Sequence, residues 1–129
     1  MNGRISLDTN IVIRLFKNDT HITKNLSSAP TIYLPVPVIA ELLFAARNSS
    51  RPKENLKIYN EFIDICKVLD ISRKTADCYS SIRLALKQKG CPIPENDIWI
   101  ASICVEKDIP LVTGDAHFDN IDNLKIIRW

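Results

Sequence analysis

Residues 5–13 run Ile5-Ser6-Leu7-Asp8-Thr9-Asn10-Ile11-Val12-Ile13. A short apolar run stops at an acid, and a second apolar run begins three residues later. Ile5 to Leu7 suits a strand, and Asn10 to Lys17 suits a helix with Asp8 or Thr9 near its cap. The same alternation continues outward. His21 to Ser28 reads as a short helix and Thr31 to Leu34 as the next strand. Val36 to Asn48 is a helix entered through Pro35 and Pro37, where proline is tolerated. Ser50-Arg51-Pro52 opens a helix to about Asp64, and Lys67 to Ile71 is a strand. Ser72 to Lys89 is a long helix capped by Ser72 and closed by Gly90. Glu95 to Lys107 is a helix, Ile109 to Val112 a strand, and a helical turn follows near Asp119. Leu124 to Ile127 is the last strand.

Short apolar strands alternating with helices predict an α/β fold, a mostly parallel central sheet covered on both faces. Ligand sites in such sheets lie at the carboxyl ends of the strands. Asp8 directly follows the first strand, and Asp115 comes shortly after the strand ending at Val112.

The chain has 129 residues, a length that suits one domain over 1–129. It is 46% hydrophobic and 25% charged, which fits a folded soluble protein and excludes a disordered one. No apolar run approaches the ~20 residues of a membrane span, and no signal peptide is visible, so a cytoplasmic protein is expected. Cys66, Cys78, Cys91 and Cys104 lack the close spacing of a zinc or redox motif and read as reduced structural thiols. With only three glycines there is no phosphate-binding loop. The net charge is +2. Set aside Asp8, Glu41, Asp97 and Asp115, and 17 basic residues face 11 acidic ones, a surface near +6. A basic shell around an acidic centre suits a polyanion approaching a metal; equally, Lys and Arg simply solvate surfaces. No basic residue is singled out for substrate.

Those four carboxylates carry the chemistry. Val36 to Ala46 reads Val-Pro-Val-Ile-Ala-Glu-Leu-Leu-Phe-Ala-Ala, with Glu41 its only polar residue. A helix apolar all round is expected to be buried, and a carboxylate there needs a positive partner, either a cation or an arginine. Asp97 stands in the first turn of a helix whose following residues, Ile98 to Val105, hold one polar side chain, Ser102. An acid in a first turn also complements the helix dipole without further purpose. Asp8 also fits a helix cap, and Asp115, after Gly114, also fits a turn. Converging carboxylates raise each other's pKa, and a divalent cation removes that conflict. Oxygen ligands select Mg²⁺, Mn²⁺ or Ca²⁺ over zinc, and such an ion would activate water and stabilise phosphate charge. His117, two residues from Asp115, suits either a proton-transfer or substrate role or plain surface. Asp119, Asp122 and His21 read as surface residues.

Four segments then match one family in order and over the whole length: Leu7-Asp8-Thr9-Asn10, Pro37-Val38-Ile39-Ala40-Glu41-Leu42, Asn96-Asp97-Ile98-Trp99-Ile100-Ala101, and Thr113-Gly114-Asp115-Ala116-His117-Phe118. The sequence resembles a PIN-domain ribonuclease of the VapC kind, the toxin half of bacterial and archaeal toxin–antitoxin pairs. The resemblance implies a three-layer α/β/α sandwich. It implies Asp8, Glu41, Asp97 and Asp115 as the catalytic quartet, Asp8 and Asp97 as direct metal ligands, and Thr9 or Asn10 with Thr113 as supporting polar residues. It further implies Mg²⁺- or Mn²⁺-dependent cutting of RNA such as tRNA, a homodimer, and a cognate antitoxin partner covering the site.

Three other readings separate cleanly. A non-catalytic PIN-like module binding RNA or protein would fail to take up metal. A phospho-acceptor receiver needs adjacent acids after its first strand, where this chain has Asp8 followed by Thr9. A phosphatase with an aspartyl nucleophile needs a second acid at position 10, which is Asn10.

Overall fold

The computed structural model describes residues 3–29 and 31–129. Its first strand, β1, is Arg4–Leu7, and Ile5, Ser6 and Leu7 are all buried. Such burial on successive residues means that both faces of the strand are covered. Asp8 then caps α1, Thr9–Phe16, by accepting the Thr9 N–H. Asp19 caps α2, Thr20–Ser27, through the His21 and Ile22 amides. Strand β2, Thr31–Pro35, leads directly into α3, Val36–Arg47, with Pro37 in its first turn. Helix α4, Pro52–Ile65, and strand β3, Lys67–Leu69, follow.

Ser72 and Thr75 form a reciprocal capping box for α5, Arg73–Lys89, and Gly90 closes it at φ 66°, left-handed backbone that glycine adopts without a Cβ penalty. Helix α6, Glu95–Lys107, ends at Asp108 in the same left-handed region, φ 54°. Strand β4, Leu111–Val112, a 3₁₀ turn, Ala116–Asn120, and β5, Ile126–Ile127, complete the described residues.

The five strands lie in the order β3-β2-β1-β4-β5 and every neighbouring pair is parallel. From β1 the chain steps outward through β2 to β3, then returns across β1 to β4. Right-handed crossovers in opposite directions place helices on opposite faces, which gives the expected α/β/α sandwich. The reversal lies between β1 and β4. A crevice therefore opens beyond their carboxyl ends, where Leu7 pairs with Val112. The core runs along the sheet and into α1, α3 and α6 through Leu7, Val12, Leu34, Leu42, Ile100, Leu111 and Phe118, each fully buried.

Three strands are shorter than expected. Ladder pairing begins at Leu111 rather than Ile109, because the Ile109 N–H is spent on the Cys104 carbonyl at the end of α6 and Pro110 has no N–H to give. Strand β3 stops at Leu69, and β5 keeps only Ile126 and Ile127. All four cysteines are free thiols, Cys104 buried and Cys66 half-buried. Trp99 stacks on Tyr79 with ring centroids 4.0 Å apart, and Trp129 packs against the core. Among the described residues no helix is long and apolar enough to cross a membrane.

Helix α3 corrects one expectation. It is not buried all round. Pro37, Val38, Leu42 and Ala46 face the core, while Ala40 is exposed and Phe44 is 68% exposed. Hydropathy reports what a face is made of, not what covers it. Leu42→Ala should therefore lower the unfolding free energy by about 2–5 kcal/mol. Phe44→Ala should change it by about 0.5 kcal/mol or less. Urea unfolding of the two variants measures both.

Candidate active site

The end of β1 delivers Asp8 to the crevice. Its amide hydrogen-bonds the Val112 carbonyl at 3.0 Å, which fixes the backbone, and the residue is only 5% exposed. Thr9 N–H donates to Asp8 Oδ1 at 2.9 Å, and the buried Thr113 hydroxyl donates to Oδ2 at 2.7 Å. Both oxygens are thus oriented. Thr113 also accepts the Asp115 amide at 3.0 Å, so one hydroxyl ties the first acid to the loop carrying the fourth.

Glu41 lies half-buried on α3 at the rim between covered and open faces. The Thr9 hydroxyl donates to its Oε1 at 2.6 Å. Among the described residues it forms no ion pair, so the arginine partner considered from the sequence is not what meets it. Asp97, in the first turn of α6, and Asp115, capping the 3₁₀ turn, both face His117. His117 Nδ1 lies 3.3 Å from Asp97 Oδ2 and 3.2 Å from Asp115 Oδ1. Asn10 is exposed in the first turn of α1; of the two candidate supports there, Thr9 is the one that reaches an acid.

The electrostatics follow from this convergence. Burial pushes the Asp8 carboxyl up to about 6. The negative charges of Asp97 and Glu41 push the same way, against the Thr113 and Thr9 hydrogen bonds. Asp97 is also raised, chiefly by burial and then by Asp115 and Glu41, while the His117 hydrogen bond opposes the rise. Asp8 and Asp97 therefore each sense two other acids.

Two residues that the sequence reading did not assign to the centre support it. Arg128 donates from Nη1 to the Thr113 carbonyl at 2.9 Å and to the Asp115 carbonyl at 3.1 Å, while Nη2 pairs with Asp119 at 2.5 Å. The guanidinium thereby holds both ends of the turn that presents Asp115. Nothing in local sequence marks this, because the partners are backbone carbonyls. His117 left a fainter signal: its spacing from Asp115 was visible, its approach to Asp97 was not.

The donor set fits a divalent cation. Asp97, Asp115 and His117 each offer a ligand atom, and those atoms all lie within 4.8 Å of one another. Asp8 and Glu41 stand outside this tight trio; the charge of Asp97 acts on Asp8, and that of Glu41 acts on both Asp8 and Asp97. Among the described residues, the only basic side chain paired with any of the four acids is His117. A net excess of negative charge in a partly buried cleft is what a cation would neutralise.

The PIN domain profile matches residues 5–124. Ribonuclease VapC2 of Rickettsia felis is 32% identical over 128 residues, covering 95% of this chain and 96% of the relative. Ribonuclease VapC2 of Haemophilus influenzae is 29% identical over 126 residues, with the same coverage of both chains. Among solved structures, VapBC2 from Rickettsia felis bound to a promoter DNA fragment superposes with TM-score 0.92 at 30% identity over 98% of each chain. DNA-bound VapBC from Salmonella typhimurium gives 0.89 at 28% identity, again over 98% of each. The superposition extends over nearly the whole α/β fold. The chain belongs to the PIN-domain family.

Asp8 also sets a pH dependence. Its folded pKa lies above the ordinary value of 3.8, so the native state holds this proton more tightly than the unfolded chain. Its contribution to stability is full below 3.8 and is lost as the pH rises through about 6. Denaturant titrations with EDTA should show metal-free stability falling over that window. Asp8→Asn should flatten the fall.

Proposed function

We propose that this chain is a divalent-metal-dependent endoribonuclease, the toxin half of a VapBC-type toxin–antitoxin pair, using Mg²⁺ or Mn²⁺. The observation that carries the reading is the convergence of Asp8, Glu41, Asp97 and Asp115 at the switch point of a PIN fold. Its support is the set of relatives named ribonuclease VapC over nearly the full length.

In this reading Asp8 and Asp97 hold the ion, with Asp115 beside them. A bound Mg²⁺ or Mn²⁺ supplies an activated water and stabilises charge on phosphate oxygens. The chain's own part is orientation. Thr9 and Thr113 fix the Asp8 carboxylate, and Thr9 fixes Glu41 Oε1. Glu41 Oε2, which takes no hydrogen bond from the described residues, is the oxygen suited to accept a proton from the attacking water. The chain's 17 Lys and Arg residues give it the charge to attract an RNA backbone.

A cognate antitoxin belongs to the same reading, since the solved neighbours are VapBC complexes. So does a homodimer. Phe44, Ile58, Ile65 and Val68 leave apolar surface exposed on α3, α4 and β3, as proteins with protein partners do.

The test uses purified protein with end-labelled tRNA and total RNA, with Mg²⁺ or Mn²⁺ and with EDTA. Discrete cuts are expected with metal only. Asp97→Asn should reduce cutting by about 100-fold or more. Because Asp97 is raised by burial and by its acidic neighbours, the variant should melt no lower than the parent in EDTA. A large fall in melting temperature would instead make Asp97 a helix-terminus residue. RNA bound but never cut, by protein that takes up no metal, would favour the non-catalytic module.

A further inference from the structure

His117 lies between two of the acids gathered at the crevice. Its Nδ1 is 3.3 Å from Asp97 Oδ2 on α6 and 3.2 Å from Asp115 Oδ1 on the following loop. Adjacent ligands of a six-coordinate ion with ~2.1 Å bonds stand about 3 Å apart. The two separations are close to that edge length, so little movement separates this arrangement from coordination. The position is also held. The His117 amide donates to Asp115 Oδ1 at 2.9 Å, and Arg128 grips the Asp115 carbonyl. The imidazole is 49% exposed, so solvent can carry the Nδ1 proton to Nε2 and free the lone pair.

We propose that His117 is a nitrogen ligand of the metal centre and that it biases the site toward Mn²⁺ and the later first-row dications over Mg²⁺. The inference rests on the nuclease reading above and adds to it the choice of ion. The physical basis is ligand hardness. Carboxylates suit Mg²⁺ and Mn²⁺ alike, whereas imidazole suits transition metals. An all-oxygen centre would leave the choice to abundance. One nitrogen tips it.

A different role for the same contacts makes the opposite forecast. If His117 only shares its N–H between two carboxylates to relieve their repulsion, it competes with every cation. Removing it would then strengthen Mg²⁺ and Mn²⁺ binding alike. Selectivity, not affinity alone, therefore decides.

The experiment titrates the full chain with Mn²⁺ and separately with Mg²⁺, following heat and, for Mn²⁺, the loss of the free-ion paramagnetic resonance signal. Parent, His117→Ala, His117→Gln and Asp97→Asn are compared, with melting temperature in EDTA as the check on folding. His117→Ala and His117→Gln should each weaken Mn²⁺ binding by about ten-fold or more and leave Mg²⁺ binding nearly unchanged. Asp97→Asn should weaken both ions. Equal weakening of both ions by the His117 variants, no change, or tighter binding would overturn the proposal while leaving the nuclease reading standing. A parent that binds neither ion would sink both.

Discussion

Four carboxylates meet at one edge of a parallel sheet, and their mutual repulsion is the constraint around which the rest is arranged. Asp8 is nearly buried and feels both Asp97 and Glu41. Left alone, such a group would neutralise itself or move out to water. Its carboxyl is pushed up to about 6, toward the neutral form, and the backbone keeps it from moving out to water. Its amide is tied to β4, and its oxygens are fixed by one backbone N–H and one buried hydroxyl. The fold holds charge together against its electrostatic preference. A site meant to take up a cation would need that trade, since a relaxed empty site would have to be reassembled at each binding event.

The sheet order explains how so dispersed a set is gathered. Asp8, Glu41, Asp97 and Asp115 come from four separate elements. Strands β1 and β4 are adjacent only because the chain doubles back across β1, and that reversal places the ends of both strands at a common crevice. Helices α3 and α6 then each contribute one acid from near the same edge. Thr9 and Thr113 link the elements in pairs, Thr9 joining α1 to α3 and Thr113 joining β1 to the loop after β4.

Much of this was legible in residue order. Alternating strands and helices fixed the architecture, and Ser72 and Gly90 correctly bounded the longest helix. Asp8 was readable because an acid ending an apolar strand has a defined place in a parallel sheet. What escaped the sequence were features that depend on a neighbour's backbone or on its absence. The open side of α3 at Phe44 looks identical to a core helix when only hydropathy is read. Arg128 clamps carbonyl oxygens, which every residue carries, so no side-chain pattern reveals it. The approach of His117 to Asp97 depends on how the 3₁₀ turn folds back toward α6, and spacing along the chain does not encode that.

The two-residue strand β5 has a consequence for motion. The Thr113 amide is held by the Ile127 carbonyl at 3.2 Å, and Arg128 immediately follows. Short edge strands open at low free-energy cost, well below global unfolding. Each such opening loosens the Arg128 clamp on the turn that presents Asp115, while Asp8, anchored beside the central strand, stays put. The centre thus has a rigid side and a breathing side. Occupancy by an ion bridging the two would be felt as slowed amide hydrogen exchange along β4 and β5, in strands that touch no ligand themselves.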